Sequence, residues 1–113
     1  MKSTLKLLWL GSAGLAALLG ATAVQAEPPG IYYSWRAVNT DVTACLNQAG
    51  EALESQNLAT VQADETSIAG RSEDSTAVFV CLANPGSTTV MVIVASADDE
   101  QALALREALK EAF

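Results

Sequence analysis

Residues 76–96 read TAVFVCLANPGSTTVMVIVAS. Two runs rich in Val, Ile and Thr flank Asn84-Pro85-Gly86-Ser87. A Pro-Gly pair between two such runs predicts an antiparallel hairpin of strands over 76–83 and 88–96. A loop over 84–87 sets Ala83 opposite Thr88, so Cys81 faces Val90, Phe79 faces Val92 and Ala77 faces Val94 on one side of the sheet. The other side then carries Val78, Val80, Leu82, Thr89, Met91 and Ile93. An antiparallel sheet with one wet face alternates apolar and polar residues, and these two strands do not.

Cys45 decides which side meets the helices. Asn39, Thr40 and Asp41 offer N-caps, and Val42, Cys45, Leu46, Ala49 and Leu53 then recur on one helical face, predicting a helix over 41–56. Gly50 inside it suits a close approach to a sheet. Cys45 and Cys81 are the two cysteines of the chain. They lie too far apart in sequence for a redox-active Cys-x-x-Cys pair, and an exported chain pairs them as a structural disulfide. That bridge assigns the Cys81 side of the hairpin to the helices.

Outside this nucleus, residues 27–30 (EPPG) form a leader and residues 31–38 (IYYSWRAV) a candidate first strand. Residues 58–69 alternate weakly and are polar enough for one edge strand. A last helix runs to the chain end, with Ala102, Leu105, Leu109, Ala112 and Phe113 on one face. Ser96 and Asp99 at its start match a capping box. The expected fold is α+β: a two-layer sandwich of (β)αβββα order, with a three- or four-stranded antiparallel sheet and two helices. The αβββα part is similar in element order to double-stranded RNA-binding domains, but its residues identify no family and its charge opposes that function.

The chain has 113 residues, with 6 Lys and Arg, 13 Asp and Glu and no His, a net charge of −7. Residues 1–26 (MKSTLKLLWLGSAGLAALLGATAVQA) combine a basic start at Lys2 and Lys6, an apolar run, and small residues in Val24-Gln25-Ala26. This is the pattern of a secretory signal cleaved after Ala26. Gly11, Gly14, Gly20 and the Ala-rich composition make a retained membrane anchor the weaker reading. Cleavage leaves residues 27–113 as a single small domain with 4 basic and 13 acidic residues, a net charge of −9. The expected location is periplasmic or extracellular, with no membrane attachment after cleavage.

Composition also excludes chemistry. Without His, the usual general base and the usual zinc ligand are missing. The acidic balance opposes nucleic-acid binding. Asp64/Glu65, Glu73/Asp74 and Asp98/Asp99/Glu100 are adjacent acids of the kind found in loops and helix starts. No calcium loop, phosphate loop or cofactor motif occurs. The expectation is a non-enzymatic binding or protein-interaction module. Alternatives are an acidic inhibitor of a cationic secreted enzyme and, less favoured, a carboxylate-based enzyme.

The second hairpin face has three competing explanations. The simplest sets the two helices on opposite faces, or folds residues 27–38 across the second face. Another is an interface with a second copy or another exported protein through Val78, Val80, Leu82, Met91 and Ile93. The third is an apolar pocket between sheet and covering segment, with Tyr32, Tyr33 and Trp35 at its mouth. Tyr32, Tyr33, Trp35 and Arg36 are the candidate contact residues there, since aromatics and Arg dominate interface energetics.

Overall fold

The computed structural model describes residues 28–113; the expected signal segment lies outside them. The hairpin forms as its sequence requires. Strands β4 (Ser75–Asn84) and β5 (Ser87–Ser96) pair with Ala83 opposite Thr88 and Cys81 opposite Val90. Pro85 and Gly86 occupy the two central turn positions. Gly86 has φ 78°, the left-handed value that position i+2 of a type II turn demands and that a side chain resists.

Five strands form the sheet, in the order β1-β5-β4-β3-β2, and every neighbouring pair is antiparallel. Strand β1 (Gly30–Val38) lies in the plane of the sheet beside β5, with Tyr33 opposite Ile93 and Trp35 opposite Met91. Helix α1 (Val42–Ser55) then crosses to the far edge. There the stretch expected as one edge strand is a hairpin of its own, β2 (Ala59–Ala63) and β3 (Ser67–Arg71). Asp64 makes the turn between them. Its Oδ1 accepts from the Thr66 N–H at 2.9 Å, the Ser67 N–H at 2.8 Å and the Ser67 hydroxyl at 3.0 Å. Those bonds lower the Asp64 pKa, the Thr66 N–H contributing most. An Asx-type turn of this kind needs neither Gly nor Pro, so the chain reverses without the usual signal.

Asp41 caps α1 by accepting from the Ala44 N–H at 2.7 Å. The helix stops in a Schellman arrangement. Asn57 takes φ 61°, its N–H donates to Glu54 O, and the Leu58 N–H donates to Leu53 O. Leu53 and Leu58 are both buried, supplying the apolar contact that accompanies this motif. Helix α2 (Asp99–Ala112) begins one step away from the expected cap. Asp98, not Ser96, accepts from the Glu100 N–H, at 3.0 Å. Ser96 is buried at the end of β5, where its hydroxyl donates to Asp74 O at 3.1 Å.

Both helices cover the same face. Cys45, Ala49, Ala52 and Leu53 of α1 and Ala102 and Leu109 of α2 form one core with Ala77, Phe79, Cys81, Val90, Val92 and Val94. Helix α1 lies against β4, β3 and β2, and α2 against β5 and β1. Small residues at the contact bring α1 close to the sheet. The Cys45–Cys81 disulfide joins the two layers, with the Cα atoms 6.2 Å apart. Phe113 stacks on Phe79 with ring centres 5.6 Å apart and closes the end of the core.

Candidate functional site: an open apolar sheet face

Strand alternation dictates what lies opposite the helices. Across the sheet, Tyr33, Ile93, Val78 and Ala69 form one row, and Trp35, Met91, Val80 and Ser67 the next. Ile31, Ala95, Thr76 and Arg71 flank them on one side, and Ala37, Thr89 and Leu82 on the other. Among the described residues no element covers this face. Val78, Val80, Met91 and Ile93 are half-buried only because strand neighbours crowd them on both sides. Towards the β1 edge and at Leu82 the shielding fails, and Ile31 (63%), Tyr33 (60%), Trp35 (64%) and Leu82 (49%) are largely exposed.

Two of the explanations offered by the sequence therefore fail here. The helices do not sit on opposite faces, and residues 30–38 do not fold across the second face but extend it. An enclosed pocket would need the same missing cover. The pocket near Trp35 is a half-open recess on the helix side with about 30 Å³ of space, lined by Phe79, Val90, Val92 and Phe113. That volume is on the order of one water molecule.

The four contact candidates of β1 do not share one face. Tyr33 and Trp35 project onto the open face, whereas Tyr32 and Arg36 point to the helix side. Tyr32 packs against the core, and burial, followed by hydrogen bonding to Asp99, raises its phenol pKa. The Arg36 guanidinium lies over the Phe113 ring, 5.6 Å from its centre. Ile31 belongs to the face and was not among the candidates, although its alternation with Tyr33 and Trp35 carries that information.

Charge is segregated. Among the described residues no carboxylate lies on the open face, and Arg71 at one corner is its single charged residue. The acids of the described residues sit on the helices, at the helix starts and in the β2–β3 and β3–β4 turns. No three of the described Asp, Glu or Cys residues are grouped to hold a metal.

The sheet edges are protected. Arg106 of α2 reaches around β1 and its Nη1 donates to the Tyr33 carbonyl at 3.2 Å. Arg106 also pairs with Glu107 at 3.0 Å, and Lys110 shares the same carboxylate at 3.3 Å. These hydrogen bonds and charges lower the Glu107 pKa, the Lys110 bond contributing most. The far edge, β2, is five residues long and its register shifts between Thr60 and Gln62. Short length and a bulge both discourage strand addition.

Comparison of the chain with protein families, curated proteins and solved structures finds no match.

Proposed function

We propose that this protein is an exported, non-enzymatic binding module whose working surface is the open sheet face. The observation that carries the reading is an uncovered face of Val, Ile, Met, Leu and aromatic side chains without a carboxylate, on a chain of net charge −7. Contiguous apolar surface of this kind marks a protein-interaction site. Export is supported by the leader-like residues 1–26 and by the Cys45–Cys81 disulfide, which suits an oxidising compartment. Among the described residues no helix is long and apolar enough to cross a membrane. A cationic enzyme as partner has less support. Asp41 and Asp98 serve as helix caps and Asp64 as a turn residue, and the remaining acids of the described residues are spread over both helices and the turns.

A photo-cross-linking side chain at Met91, with a matched one at Glu54 on the exposed side of α1, tests the reading in an exporting bacterial cell. Adducts are expected from position 91 and not from position 54. Adducts from neither position, or equally from both, overturn it. Mass spectrometry of the recovered chain tests export separately: loss of residues 1–26 is expected, and an intact N-terminus contradicts it.

A further inference from the structure

The open face has a size, a shape and a charge pattern that narrow its occupant. Strands β4 and β5 each have ten residues, about 33 Å at ~3.3 Å per residue. Four strands spaced about 4.8 Å apart give a width of about 19 Å. Because β1 has nine residues and β3 only five, the projected area is on the order of 500 Å², and side-chain relief raises the accessible area toward the ~800 Å² per partner of a standard stable interface. The face as a whole is therefore large enough for one interface, and only a partner matching most of its length would fill it.

Charge then selects among partners. A cationic or anionic protein finds no charged group to recognise here apart from Arg71 at the corner. A second copy of this chain presents the same face free of carboxylates, with most of its described acids on the helices behind the sheet and the rest in the β2–β3 and β3–β4 turns at the sheet ends. Stacking two such faces keeps both acidic helix layers outermost, so two strongly negative chains meet where neither carries negative charge. Twisted antiparallel sheets stack this way at about −30° and about 10 Å apart. The contact closes on itself under two-fold symmetry, so the assembly stops at two.

The alternative self-association, strand to strand at the β1 edge, is obstructed. In an antiparallel pair the N–H and C=O of one residue point the same way. Arg106 holds the Tyr33 carbonyl, so Tyr33 and its alternates Ile31, Trp35 and Ala37 present the outward backbone groups, with the carbonyl at the middle of that row already taken by an arginine. We infer that the occupant of the open face is a second copy of this chain, packed sheet against sheet through rows centred on Met91, Val80, Ile93 and Val78, with Trp35 and Tyr33 of each copy extending the contact. This inference rests on the binding-module reading and names its partner.

The test uses the full chain, expressed with its own N-terminal residues and purified in the form the host delivers. Light scattering across a dilution series should give a dimer. Met91→Lys and, separately, Trp35→Lys should raise the dimer dissociation constant by on the order of a hundredfold or more, since each leaves a charge in an apolar contact. Both side chains are on the solvent side of the monomer, so unchanged far-UV circular dichroism should accompany the loss. Glu54→Lys on α1 should leave the dimer intact. Hydrogen exchange should find the outward amides of Ile31, Trp35 and Ala37 unprotected in the dimer.

A dimer that survives both face substitutions, or one that protects those amides, overturns the inference in favour of another surface. A monomer whose Trp35 is readily quenched and which binds an apolar dye overturns the second copy while leaving the face free for a different protein. A monomer with Trp35 shielded and no dye binding overturns both the inference and the binding-module reading, because the chain then covers its own face.

Discussion

Replacing Val92 by Thr and, separately, Val80 by Thr exchanges one methyl for one hydroxyl in neighbouring strands, without changing β-branching or volume appreciably. Only the face differs. Val92 is 4% exposed, lies opposite Phe79 and belongs to a core of apolar side chains. A hydroxyl there loses water without gaining a partner, at a cost of about 1–3 kcal/mol. For a domain of this size, about 2 kcal/mol lowers the melting temperature by on the order of 10 °C. Val80 lies opposite Met91 on the open face, where the hydroxyl stays hydrated and the expected cost is within about 0.5 kcal/mol. Urea unfolding followed by far-UV circular dichroism, at protein concentrations low enough to hold the chain monomeric, measures both. Equal losses, or a larger loss at Val80, would show that the second face is as dry as the first and would refute the one-sided core. At high concentration the Val80→Thr penalty should grow as the second copy buries the site, while the Val92→Thr penalty stays fixed.

Removing the disulfide with Cys45→Ala and Cys81→Ala frees a loop set by a sequence separation of 36 residues. The chain-entropy model assigns that closure about 4 kcal/mol, comparable with the whole stability of a marginal domain; a urea midpoint close to that of the unaltered protein would contradict it. Gly70→Ala should destabilise by about 1–3 kcal/mol, because the new Cβ would stand 3.0 Å from Leu58 Cβ under the end of α1. Gly50→Ala meets only Ile68 Cδ1 at 3.4 Å and should stabilise the helix by about 0.5–1 kcal/mol; thermal melts that reverse this order reject the packing described for α1. The Asp64 turn is pH-dependent. Its carboxyl is held below its ordinary value of 3.8 by the Thr66 and Ser67 donors, so the stabilisation is complete above that value and is lost as pH falls through the lower, folded value. The Thr66 and Ser67 amide resonances should move together with the Asp64 carboxyl, with a midpoint below 3.8, and a shared midpoint above 3.8 that persists in Glu65→Gln would refute the turn.

How much of this fold the sequence discloses depends on the range over which each signal acts. Pro85-Gly86 fixes the β4–β5 register because turn and register are local to one another, and one cysteine on a helix stripe then selects a face. The position of β1 is not local. Residues 31–38 look like a strand wherever they pair, and only the assembled sheet shows that β5, rather than the exposed face, receives them. The β2–β3 turn escapes notice for a different reason. Asp64 closes it with its side chain, and Asp-Glu-Thr reads as a polar strand when Gly and Pro are the expected punctuation. The start of α2 is a choice between Ser96 and Asp98, and burial of Ser96 against Asp74 removes it as a cap. For the candidate site, strand alternation within 31–38 already separates Tyr33 and Trp35 from Tyr32 and Arg36. It cannot say that no helix covers them.

The apolar character of the open face exceeds what strand formation requires. Val and Ile are favoured in strands whichever way they point, so Val78, Val80 and Ile93 alone could reflect propensity. Thr has a similar preference and tolerates water, and Thr76 and Thr89 at the ends of the face show that the sheet accepts it there. Met91 and Leu82 are not strong strand formers, and Trp35 stays largely exposed where a smaller polar residue would pair as well with β5. Lys and Glu are the common guards of exposed sheets, and among the described residues neither occurs on this face although the chain carries 13 acids. Propensity predicts β-branched residues with occasional charges. Contact with another apolar surface predicts large side chains without charge, concentrated at the centre of the sheet and along the β1 side. The second pattern is the one on β1, β5 and β4, while of the two edges that could recruit a strand β2 is short and bulged and β1 has its Tyr33 carbonyl taken by Arg106. Edges poorly suited to pairing beside a bare apolar face favour stacking over sheet extension in the dimer proposed above.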